Sequence, residues 1–199
     1  MKILCVSDFV VPDLQREGAK GSLPPIELVI SCGDLPPEYL TLLYTTFDVP
    51  VLYVKGNHDI RYDAKPPVGC TDINRRIFTV NGFRVLGLEG SRWYNGGPNQ
   101  YTEAQMKRII WKLRPTIWWR KGIDIVVSHA PPRHVHDAED RCHRGFKSFR
   151  WLIEHYTPSY FLHGHLHKTF SDPADRVSHF GSTQVINTCG YHLLEAGHG

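Results

Sequence analysis

The sequence predicts a layered α/β fold, and three observations carry that prediction. Short apolar runs recur at residues 3–6, 28–30, 51–54, 83–88, 123–127 and 160–162, bounded by Gly, Pro and acidic residues. Runs of that length and composition read as strands buried on both faces, the environment of a sheet between layers of helices. Helical patterns lie between several of them. With 199 residues, one domain spanning 1–199 has enough chain to bury most of its apolar surface.

The elements follow in order. Residues 3–6 form the first strand and lead to Ser7 and Asp8. Residues 28–30 lead to Cys32, Gly33 and Asp34. Pro36 and Pro37 suit the first turn of a helix over 38–47, where a missing N–H costs nothing. Residues 51–54 lead to Gly56, Asn57, His58 and Asp59. Asn81-Gly82 between 77–80 and 83–88 signals a hairpin. Thr102 with Gln105 three residues on is a capping box for a helix over 103–121. Met106, Ile109, Ile110, Leu113 and Ile117 form its apolar stripe. Residues 125–127 lead to Ser128 and His129. After Gly145, residues Phe146, Phe149, Leu152, Ile153 and Tyr156 recur at helical spacing. Residues 160–162 lead to His163-Gly164-His165-Leu166-His167, and short strands near 177–180, 184–187 and 191–194 close the chain.

Composition narrows the function. Hydrophobic residues make up 41% and charged residues 22%, ordinary for a soluble globular protein. The net charge of +3 is small, no concentrated Lys/Arg stretch stands out, and nucleic acid is not the expected partner. No run is long enough to span a membrane, so no membrane association is expected. Five cysteines without a CxxC pair suggest reduced thiols and a cytoplasmic location. Twelve histidines, most after residue 128, point to metal chemistry.

That chemistry has a place to occur. In open α/β sheets ligands bind at the carboxyl ends of the strands, where the polar residues named above would converge. Carboxylate, amide oxygen and imidazole together suit a divalent ion of intermediate hardness. Two ions sharing Asp34 could clamp a phosphoryl oxygen and acidify a water. Asn57 would add an oxygen without another negative charge. His58 would donate a proton to the leaving oxygen, with Asp59 orienting its ring.

The ordered set resembles the calcineurin-like metallophosphoesterase superfamily, whose pattern is Asp-x-His, Gly-Asp, Gly-Asn-His-Asp/Glu, Gly/Ser-His and Gly-His-x-His. Gly33-Asp34, Gly56 to Asp59, Ser128-His129 and Gly164 to His167 match it. The resemblance implies a four-layer αββα sandwich. It also implies two metal sites: Asp8, Asp34 and His167 at the first, and Asp34, Asn57, His129 and His165 at the second. His58 would take the acid or transition-state role. The function it implies is hydrolysis of a phosphoester by in-line attack of metal-bound hydroxide, by a phosphodiesterase or phosphatase. A small phosphodiester or nucleotide-like substrate is favoured. The alternative is a non-enzymatic metal-binding or scaffold protein.

The first motif departs from the pattern, because Val10 stands where it carries histidine. Three protein ligands and water would still make an open site. Asp13 and His143 are candidates to fill the gap. An oxygen-rich first site favours Mn²⁺, with Fe, Zn, Ni or Mg as other candidates, and makes that site the weaker. Arg92, in the loop 91–98, and His143 are candidates for contacting substrate. Trp111 and Trp118, seven residues apart beside Arg114 and Lys121, read as the flank of a helix covering the sandwich and bent by Pro115; a docking ridge for a partner, a base or a lipid is the less favoured reading.

Overall fold

The computed structural model describes residues 1–16, 19–167, 170 and 172–197. In chain order the strands and α-helices are β1 (Lys2–Ser7), α1 (Ala19–Ser22), β2 (Leu28–Ser31), α2 (Pro37–Phe47), β3 (Val51–Tyr53), β4 (Thr71–Asp72), β5 (Ile77–Val80), β6 (Phe83–Leu88), β7 (Ser91–Arg92), β8 (Gln100–Tyr101), α3 (Glu103–Trp119), β9 (Ile125–Ser128), α4 (Lys147–Tyr156), β10 (Tyr160–His163), β11 (Val177–Phe180), β12 (Thr183–Asn187) and β13 (Gly190–Glu195).

Local chemistry explains their bounds. Pro37 stands in the first turn of α2, which ends at Asp48, a left-handed cap with φ 55°. The β5–β6 hairpin turns through Asn81 and Gly82 at φ 48° and 84°, the positive values its two-residue loop requires. The Thr102–Gln105 capping box forms as predicted and contributes on the order of 1 kcal/mol. α3 ends at Trp119, two residues before the expected stop, because Arg120 caps it and Gly122 turns the chain at φ +112°.

Two sheets carry the fold. The first runs β13-β1-β2-β3-β4 and the second β11-β12-β10-β9-β6-β5; β7 and β8 form a separate short pair. β1, β2 and β3 are mutually parallel, as are β6, β9, β10 and β12. The facing sheets enclose one core, with Ile3, Ile30 and Leu52 from the first against Val85, Val127 and Leu162 from the second. The alternate residues are buried too. Leu4, Val29 and Val51 pack under Leu40, Leu43 and Phe47 of α2, whereas Val126 and Phe161 pack under Ile110, Phe149 and Leu152 of α3 and α4. Burial on both faces is why the strands read as unbroken apolar runs. The layers are therefore helix, sheet, sheet and helix, the αββα sandwich. The parallel strands of both sheets end on one edge, and the polar residues after them meet there.

Candidate metal centre

Asp34, His129 and His165 form the trio, among the described residues, whose ligand atoms all lie within 4.8 Å of one another. They arrive from three strand ends. Asp34 follows β2, His129 follows β9, and His165 lies two residues beyond β10. Asp34 Oδ2 is 3.2 Å from His129 Nε2, and His165 Nδ1 is 3.0 Å from the same nitrogen. Backbone carbonyls choose the ring atoms. His129 Nδ1 is 2.9 Å from the Cys32 carbonyl oxygen and His165 Nε2 is 2.7 Å from that of Cys142. Each carbonyl accepts the N–H on that side, leaving His129 Nε2 and His165 Nδ1 as the coordinating atoms.

The charges are arranged accordingly. Burial raises the cost of the Asp34 charge, but the His129 charge and hydrogen bond hold its carboxyl down near 2. His129 is fully buried, which opposes its charge, yet Asp34 and Asp8 lift it to about 9. His165 is lowered to about 3 by burial and by the neighbouring His129 charge. Without a cation, a single proton on His129 Nε2 therefore joins the trio.

Asn57 and Asp8 supply an independent test of the fit. Asn57 Nδ2 donates to the Tyr94 hydroxyl at 3.3 Å, while its buried Oδ1 has no partner. Asp8 Oδ1 accepts the His165 backbone N–H at 2.9 Å and lies 3.4 Å from His167 Nε2, while its buried Oδ2 has no partner. Buried oxygens left without hydrogen bonds are costly, and a cation between them removes the cost. The donors fit a divalent ion.

Close backbone approach explains the glycines of these motifs. A Cβ on Gly56 would stand 2.0 Å from Asp34 Oδ1, and one on Gly164 2.6 Å from Asp8 Oδ2. Asp8, Asp34 and His165 themselves have φ of 63°, 56° and 69°. Asp and His enter that region more readily than most residues, and all three donors sit in it. Through this left-handed turn His165 faces His129 while His167 faces Asp8. Strand alternation does not set their directions, because β10 ends at His163.

A family model for calcineurin-like phosphoesterases matches residues 1–169. The chain belongs to the calcineurin-like phosphoesterase family. Among solved structures, TT1561 of Thermus thermophilus is similar with a TM-score of 0.69 at 16% identity, over 97% of this chain and 93% of that one. GAP50, described as the anchor in the inner membrane complex of Plasmodium, is similar with a TM-score of 0.55 at 14% identity, over 94% of this chain and 70% of that one. At such identities the likeness is of fold. No curated protein sequence matches the chain.

The family's motif residues are not all placed as the sequence suggests. His58 is exposed at the rim; its backbone N–H donates to Asp34 Oδ1 at 2.8 Å, and no hydrogen bond of its ring occurs among the described residues. Asp59 does not orient that ring. Its Oδ2 accepts the backbone N–H groups of Gly56 and Asp34, each at 2.7 Å, and so pins two motif loops together. Burial raises its carboxyl to about 6.

The candidates outside the motifs also move. Arg92 pairs with Glu103 at 3.9 Å, and that carboxylate caps the first turn of α4, so the arginine is directed to the helix layer. Asp13 pairs with Arg16 in an exposed turn, and His143 stands against His165 with its Nδ1 3.0 Å from Asp140. Neither fills the place opposite Val10, which is surface-exposed next to Phe9; the Phe9 ring lies 5.0 Å from that of His167. Tyr94 and the Cys142 carbonyl are partners that sequence reasoning missed. The polar, aromatic loop 91–98 was the signal for the first, and a backbone oxygen leaves no sequence signal.

Proposed function

We propose that the protein is a metal-dependent phosphoesterase acting on a small phosphodiester or nucleotide-like substrate. The observation that carries this reading is the Asp34–His129–His165 trio beside the unpartnered Asn57 oxygen. Asp34, Asn57, His129 and His165 would hold one ion, and Asp8, Asp34 and His167 the other, with Mn²⁺ the first candidate. Divalent ions bound there supply Lewis-acid polarisation of the phosphoryl group and a nucleophile at neutral pH. The chain's own part is positional and acid–base. Asp34 would take the shared position; its Oδ2 lies 3.2 Å from His129 Nε2 and its Oδ1 accepts the His58 backbone N–H at 2.8 Å. His58, with its ring free at the rim, donates the proton to the leaving oxygen. A hollow of about 230 Å³ lined by Pro36, Pro37, His58 and Arg61 adjoins it and suits a small leaving group. Five cysteines without a CxxC pair accord with a cytoplasmic setting.

The scaffold reading rests on Val10, which leaves the first site with one imidazole. Metal content after Mn²⁺ reconstitution, measured with hydrolysis of a generic monoester and a generic diester, separates the two. Two ions with turnover support the enzyme; bound metal without turnover under any divalent ion supports the scaffold. The His58→Ala variant should keep its metal and lose about 10²–10⁴-fold in rate. Unchanged turnover would remove His58 from the mechanism.

A further inference from the structure

The positive charge that looks scattered along the chain gathers on one helix. From Glu103 to Lys121 there are six cations (Lys107, Arg108, Lys112, Arg114, Arg120 and Lys121) and one carboxylate, a larger excess than the +3 of the whole chain. α3 buries Met106, Ile110, Leu113 and Ile117. Helical geometry then turns Lys107, Arg108, Trp111, Lys112, Trp118 and Trp119 outward. Trp111, Trp118 and Trp119 are 50%, 82% and 70% exposed. Single exposed apolar residues are ordinary, but three indoles on one helix face mark an interaction surface.

The chemistry of the face selects its occupant. A second copy of the chain across a two-fold axis would set these cations against themselves. A single-stranded nucleic acid needs open ring faces for stacking. Two of the three indoles have a face covered: Arg114 lies 4.6 Å from the Trp111 ring centre and Arg120 5.0 Å from that of Trp119. Trp111 also stacks on Trp151, with ring centres 6.4 Å apart. Indoles paired with guanidinium groups and flanked by lysines suit the headgroup layer of an anionic bilayer, which takes apolar edges and cations together. No helix among the described residues is long and apolar enough to cross a membrane, so such contact is peripheral.

We propose that the outer face of α3 docks on an anionic lipid surface. Its Trp118–Lys121 corner leads through Gly122 to the start of β9, whereas His129 follows the other end of that strand. The docking corner and the metal centre thus lie at opposite ends of the sandwich, and docking leaves the centre open.

Co-sedimentation with vesicles of phosphatidylcholine, alone or with about 30 mol% phosphatidylserine, tests this, with tryptophan fluorescence as the second readout. The protein should sediment with the anionic vesicles at low salt, with a blue-shifted emission, and be released as salt rises. Trp118→Ser with Trp119→Ser should weaken binding at least about tenfold. Lys112→Glu with Arg120→Glu and Lys121→Glu should weaken it about a hundredfold or more, with melting temperature and metal content unchanged in both variants. Absence of binding to anionic vesicles at low salt overturns the proposal, as does equal binding by both variants and the unaltered protein. So does oligonucleotide binding or dimer formation through this face without vesicle binding.

Discussion

Binding of a cation by Asp34, His129 and His165 should expel one proton. His129 titrates near 9, so at pH 7.5 it is about 97% protonated. His165, near 3, is already neutral, and Asp34, near 2, is already ionised. Only the His129 Nε2 proton must leave. Apparent affinity then falls about tenfold for each pH unit below 9, which is about 3 kcal/mol at pH 7. Calorimetric titration with Mn²⁺ in buffers of different protonation enthalpy reads the proton count directly. The His167→Ala variant is the appropriate protein, because it silences the Asp8–His167 pair. The count should be close to one at pH 7.5, about one half at pH 9, and approach zero above pH 10. A count near zero at pH 7.5, or still one at pH 10, would refute the reasoning. The same shift has a stability consequence. A raised folded-state value means that His129 stabilises the metal-free protein fully below about pH 6.5, and that this contribution is lost as pH rises through 9.

Substitutions at three positions test the supporting contacts. Asp59→Ala removes the acceptor shared by two backbone N–H groups and should cost about 2–4 kcal/mol in thermal or urea unfolding, whereas Asp59→Asn keeps an acceptor and should cost much less. Equal losses would mean that the charge, not the acceptor, matters. Tyr94→Phe removes the partner of Asn57 Nδ2 and should weaken Mn²⁺ binding at the second site about fivefold, read by titration; unchanged affinity would discount that contact. Gly164→Ala sets a methyl group 2.6 Å from Asp8 Oδ2 and 2.7 Å from Ser7 Oγ. Metal should be lost first from the Asp8–His167 side, with about 1–3 kcal/mol of stability, and retention of two ions per chain would show that the loop can yield.

Much of this protein is determined locally. Strand after strand is legible because both faces of each sheet are covered, so the runs at 3–6, 28–30 and 125–127 are apolar without alternation. The hairpin at Asn81-Gly82 and the cap at Thr102 depend on residues within four positions of each other, and short-range chemistry suffices for both. The donor types are legible for a related reason: each lies within four residues of a strand's end, and parallel strands deliver their ends to one edge.

The tertiary structure decided what each donor touches. Asp59 meets the Asp34 backbone across 25 positions of sequence, His129 meets Cys32 across 97, and His165 meets Asp8 across 157. No periodicity spans such distances, so the ring nitrogens that face a cation, the pinning role of Asp59 and the diversion of Arg92 to Glu103 all follow from packing. The outer face of α3 follows from it as well. Its sequence holds both an apolar stripe and a row of tryptophans, and only the sheet beneath selects which of the two is buried.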